Sequence, residues 1–180
     1  DCDYFIMSDV LDGVWGSKND FMITQNYSDI SNNNLDSVIK ISNTSIDMYW
    51  ATLFYFRKSE FTSMLFSMVD IIKNNWEWYY KKYSCDIKLY RNDHTVSIAL
   101  HIITNGANDI VPKLPINCLM NSFDADRIFR IDSPTNILML TKMNKKSGNM
   151  VRIQNTDLHI MNKGSIMKNI DSFFEYGMKM

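Results

Sequence analysis

Apolar residues in this chain recur in short stretches with a two-residue period, separated by turn signals, and a single stretch near the end follows the helical period. Such a pattern calls for antiparallel strands, and strands need their sheet edges covered or closed. Phe21-Met-Ile-Thr-Gln25 reads as a first strand, Ser37–Ser42 as a second, and the aromatic run Met48–Phe56 as a third. The stretch from Phe61 to Ile72 is apolar almost throughout, so its period separates neither a buried strand from a helix nor the reverse. Trp76, Trp78 and Tyr80 alternate with Glu77 and Lys81, and Ile87 and Leu89 with Asp86 and Lys88. Arg91–His94 reads as a turn, and Val96, Ile98, Leu100 and Ile102 share one face of a returning strand, which predicts a hairpin. Asn105–Pro115 reads as a loop. Arg127–Ile131, Asn136–Lys142 and Met150–Ile153 read as strands, with turns at Asp132–Thr135 and Lys145–Gly148. Ile166, Ile170, Phe173 and Phe174 then fall at helical spacing behind a cap at Ser165. Residues 1–19 read as a short helical turn or lid. The pattern predicts a mainly β single domain over residues 1–180: an eight-stranded up-and-down antiparallel barrel with a C-terminal α-helix.

The 180 residues suffice for one sizeable core, and 46% are hydrophobic. The net charge of −1 argues against a nucleic-acid partner or a membrane-surface field. No apolar run reaches the length of a transmembrane segment. The chain starts at Asp1 rather than Met, which suggests a mature, secreted form. Cys2, Cys85 and Cys118 allow one disulfide with a free thiol, or three reduced cysteines. The abundance of Asn, Lys, Ile and Tyr fits an AT-rich source.

Gly13-Val14-Trp15 stands just ahead of the first strand, and Asp124–Lys142 forms a turn and two late strands that end in a basic residue. These elements resemble the lipocalin family. In that family Trp plugs the closed end of the barrel and a cation from a late strand covers its indole. The resemblance implies that role for Gly13 and Trp15, with Lys142 as the cation and Arg152 as its competitor. A cation over an indole contributes about 0.5–2 kcal/mol. Two departures stand out: Lys replaces the usual Arg, and Lys145–His159 is longer and more strand-like than the usual link to the last helix. With the Asn/Lys/Ile-rich composition, the chain is similar to lipocalins of apicomplexan malaria parasites. That implies secretion to the parasitophorous vacuole and digestive vacuole, and a link to haemozoin formation.

Little in the chain points to catalysis. No Gly-x-Ser-x-Gly element, Gly-rich phosphate loop or Cys/His zinc spacing occurs, so neither an enzyme nor a resident cofactor or metal is expected. His94 sits in the expected turn, open to solvent. Trp76, Trp78 and Tyr80 are candidate walls of a ligand cavity, and His101 faces that cavity only if the apolar face of its strand lies outside. The expected function is a secreted carrier that encloses a small hydrophobic ligand: a lipid, a fatty acid or a haem-like tetrapyrrole. The alternative is a non-enzymatic interaction module or homo-oligomer with a filled barrel. Ala51 and Ala99 are the few small inward residues, which keeps that alternative open.

Overall fold

The computed structural model of the chain describes residues 3–30, 39–107, 110–115, 119–122, 126–142 and 148–177. Strands and helices share these residues in a mixed α/β arrangement, and no sheet among them closes into a barrel. The expected eight-stranded barrel is thereby overturned. The chain divides into two compact units: Asp1–Asp12, Tyr27–Asp36 and Asn117–Met180 in unit 1, and Gly13–Asn26 and Ser37–Ile116 in unit 2.

Unit 2 pairs β2 (Phe21–Thr24) antiparallel with β4 (Trp50–Phe56), two strands that the sequence located. The expected strand at Ser37–Ser42 reduces to an isolated bridge between Lys40 and Asp47, and Ser37 and Val38 lie outside the described residues. The ambiguous stretch becomes helix α1 (Glu60–Asn74). A capping box starts it: the Ser59 hydroxyl accepts from the Thr62 amide, and the Thr62 hydroxyl accepts from the Ser59 amide. Thr62, Leu65 and Ile72 then face the core.

The expected hairpin from Trp76 to Ile102 is two helices, α2 (Trp76–Lys82) and α3 (Asn92–Ile103). Trp76, Tyr79, Tyr80 and Tyr83 follow the spacing i, i+3, i+4, i+7, and all four pack against the core. In α3 the seven residues His94 to Leu100 are buried in succession. A helix covered on all sides carries no amphipathic stripe, so a chance alternation of Val96, Ile98, Leu100 and Ile102 dominates its sequence. Side chains tie α3 to β4 and to Tyr49, the residue just before it. Asp93 accepts the Ala51 amide at 2.8 Å, and the Ser97 hydroxyl accepts the Tyr49 amide at 2.8 Å.

Among its described residues unit 1 holds two sheets. In the first, β1 (Tyr4–Phe5) runs antiparallel to β9 (Leu158–Ile160). β9 is parallel to β5 (Leu119–Ser122), and β5 is parallel to β3 (Tyr27–Asp29). The expected helical turn or lid near the start therefore includes a short strand, and among its described residues Asp12–Val14 forms a 3-10 turn. The second sheet is the late meander of the sequence: β6 (Arg127–Ser133), β7 (Asn136–Lys142) and β8 (Gly148–Gln154). Gly148 enters β8 where a Cβ would lie 2.6 Å from the Thr141 carbonyl oxygen, too close for any side chain. Ile131, Ile137, Met139 and Ile153 from this meander share a core with Phe5, Leu158 and Ile160.

The single terminal helix of the sequence is split at Asn169 into α4 (Lys163–Lys168) and α5 (Ile170–Glu175). Its cap is Asn162, whose side chain accepts from the Ser165 amide. Ser165 lies inside α4, and its hydroxyl accepts the Ile128 amide at 2.7 Å. Ile166 and Phe173 are buried, whereas Phe174 is exposed. No described helix is long and apolar enough to cross a membrane.

Candidate functional site

Three titratable side chains from the two ends of the chain converge where β1 meets β9. Tyr4 pairs with His159 and Phe5 with Leu158, and the Asp3 carbonyl accepts the Ile160 amide at 2.8 Å. Phe5 stacks on Phe173 with ring centroids 4.6 Å apart, which anchors β1 in the apolar core. Asp157, just ahead of β9, fixes the segment after β1. Its carboxylate accepts the Met7 and Ser8 amides, the Ser8 hydroxyl and the Tyr4 hydroxyl. Burial pushes the Tyr4 phenol far above its ordinary pKa, and the Asp157 charge adds to the shift, so Tyr4 remains a donor at every physiological pH.

This clamp holds Asp3 in place. Its side chain is 7% exposed, and that of His159 is 10% exposed. His159 Nε2 lies 3.4 Å from Asp3 Oδ1, and Lys163 Nζ lies 3.5 Å from Asp3 Oδ2. Both separations exceed the 2.7–2.9 Å or so of a charge-assisted hydrogen bond. Asp3 Oδ1 is buried with no hydrogen-bond partner. His159 and Lys163 stand at ion-pair distance from the carboxylate, but this oxygen retains an unused acceptor site that a further cation could fill. Lys163, at the first position of α4, keeps its side chain 72% exposed and reaches over the pair from the solvent side. Among the described residues no group of three or more His, Cys, Asp or Glu side chains is placed to hold a metal ion. A cation at Asp3 and His159 would therefore draw its remaining ligands from water or a bound molecule.

The residues singled out from the sequence lie elsewhere. Gly13 has open space around its Cα, and the Trp15 ring is 79% exposed, with an edge contact to Tyr55 at 6.3 Å. Trp15 thus plugs no barrel end. The Lys142 side chain lies outside the described residues. The Arg152 guanidinium donates to Asp132 at 2.7 Å and to Asn136 at 2.9 Å. Trp76 and Trp78 do come together, beside an open hollow of about 460 Å³ at the junction of α1 and α2. The Trp76 indole donates to the Lys88 carbonyl, and Lys82 Nζ lies 4.6 Å from the Trp78 ring centroid. Tyr80 and His101 are partly buried. Tyr80 packs on the core and beside Trp76, and His101 meets the Tyr83 ring edge-on. His94, expected in a turn open to solvent, is buried in the first turn of α3. Cys85 is a buried free thiol whose pKa is raised by burial, and Cys2 and Cys118 lie outside the described residues.

Asp3, His159 and Lys163 escaped the sequence reading because nothing local joins residues so far apart. The available signal was a titratable residue set within each of two apolar runs, Asp3-Tyr-Phe-Ile6 and Leu158-His-Ile-Met161. A strand buried on both faces leaves such a residue no route to solvent. Compared with protein-family models, curated proteins and solved structures, the chain matches none of them.

Proposed function

We propose that this chain binds a small phosphate-bearing molecule through a divalent cation held by Asp3 and His159. The buried, unbonded oxygen of Asp3 carries this reading. Two donors that each sit roughly 2.1 Å from one ion, at cis octahedral or tetrahedral angles, lie about 3.0–3.4 Å apart. Asp3 Oδ1 and His159 Nε2 are 3.4 Å apart, too far for a good hydrogen bond and at the spacing of two ligands of one ion. A carboxylate with an imidazole suits Mn²⁺ or Zn²⁺ better than Ca²⁺. With two protein donors among the described residues, most coordination positions are left to water and to ligand oxygens, an arrangement hard cations adopt with phosphates. Lys163 adds a second positive charge at the exposed side, where it would meet an anion held by the metal.

Titration with Mn²⁺, followed by electron paramagnetic resonance with and without pyrophosphate, tests this. Wild-type protein binds Mn²⁺, and pyrophosphate tightens the binding. Asp3→Asn and His159→Gln each lower Mn²⁺ affinity by about tenfold or more. Lys163→Gln leaves Mn²⁺ binding in place and removes the gain from pyrophosphate. Circular dichroism establishes that each variant is folded. Equal Mn²⁺ binding by wild-type protein and folded Asp3→Asn would overturn the proposal.

A further inference from the structure

A concavity in unit 1 presents two cations that form no ion pair among the described residues. It measures about 340 Å³ and lies between the start of β6 and α4. Arg127, the first residue of β6, and Lys168, the last of α4, both line it. Among the described residues neither forms an ion pair or a side-chain hydrogen bond, although Arg91, Arg130 and Arg152 each pair with an aspartate. Among the described residues no carboxylate lines the hollow.

Its floor is fixed by hydrogen bonds. The Ser165 hydroxyl accepts the Ile128 amide at 2.7 Å, and the Asn162 side-chain amide donates to the Asp126 carbonyl. The Asn169 side-chain amide donates to the Ser165 carbonyl at 2.9 Å. Each of these two asparagine amides spends one of its two hydrogens in this way, which leaves one further donor on each beside the two cations. Gly164 lines the same hollow without a side chain to fill it.

We propose that this hollow is an oxyanion site that takes a phosphate or sulfate group. A guanidinium, an ammonium and two spare amide donors match the tetrahedral acceptor array of such a group, and Arg is the side chain best suited to grip it in two places. The volume accommodates the anion alone or as the head of a small organic ester. The site needs no metal, so it stands or falls independently of the Asp3–His159 cation.

Calorimetry in EDTA, with inorganic phosphate and glycerol 3-phosphate as separate probes, tests the assignment. Wild-type protein binds at least one of them; tighter binding of the ester identifies an organic ligand, and equal binding identifies the free anion. The double variant Arg127→Gln/Lys168→Gln weakens binding by about tenfold or more, whereas Asp3→Asn leaves it unchanged. On wild-type protein, phosphate shifts the backbone amide resonances of Gly164 and Asn169, a readout that survives any folding defect of the variants. No binding by wild-type protein, equal affinity in the double variant, loss of binding in Asp3→Asn, or resonance shifts confined to other segments would each overturn the proposal.

Discussion

His94 shows how far one residue's surroundings depart from what its neighbours in sequence suggest. Arg91-Asn-Asp-His94 has the composition of a solvated turn, yet it starts α3, and the imidazole is 3% exposed with Nδ1 unbonded. Its ring lies 6.3 Å from that of Trp76. Burial holds its pKa below the ordinary imidazole value and the Arg91 charge adds to this, against opposing contributions from Asp93 and Asp86. The folded state thus favours neutral His94, and the unfolded chain takes up the proton first as pH falls. The contribution of His94 to stability is complete above about pH 6.5, the unperturbed value, and is lost as pH falls from there toward the folded pKa. Urea midpoints measured between pH 4.5 and 8 should fall at the acid end in wild-type protein, and His94→Phe should flatten part of that fall. Parallel acid limbs for the two proteins would exclude His94 as a source. Trp15 teaches the converse. A glycine two residues before a tryptophan marks a barrel plug only where a barrel surrounds it, and no feature of the tripeptide reports burial.

At the scale of elements, the sequence located strands rich in apolar and β-favouring residues and bounded by turn residues. β2, β4, β6, β7 and β8 lie within a residue or two of where composition and turn residues place them, whereas the stretches read from alternation, such as Ser37–Ser42 and Val96–Ile102, are not strands. It failed where one run of residues satisfies two periods. Trp76, Trp78 and Tyr80 alternate, but the aromatic at Tyr79 and the later Tyr83 complete a helical face that the two-residue reading passes over. The start of α1 went unread for a different reason: Ser59 and Thr62 form the box that begins it, but Thr62 stands where Glu or Gln is usual. Ser59→Ala removes an acceptor for the Thr62 amide and should lower stability by about 1 kcal/mol, read as a lower urea midpoint at unchanged slope. Asp at the same position is a good cap and should restore the loss. A result near zero for both would mean that packing of Leu65 and Ile72 alone sets the start of α1.

At the scale of the whole molecule, each unit carries a core of its own. Leu65 lies at the centre of one and Ile137 at the centre of the other, both fully buried. Leu65→Ala and Ile137→Ala should each cost about 2–5 kcal/mol. Hydrogen exchange should show the earliest loss of protection in α1 and α3 for the first, and in β6 and β7 for the second. Protection lost first in the other unit would contradict this assignment of cores. None of this division was legible in advance, because unit 1 is built from three separated segments and no local signal records such long-range pairing. The placement of β9 between β1 and β5 also has a consequence for the nascent chain. Tyr4 and Asp157 are 153 residues apart in sequence. On the ribosome, unit 2 is complete at Ile116, whereas the first sheet of unit 1 lacks β9, the strand between β1 and β5, until Ile160 has emerged, roughly a few seconds later at 5–20 residues per second. Through that interval β1 waits with its pairing edge bare, and the cluster of charge around Asp3 comes into being only once His159 and Lys163 have been made.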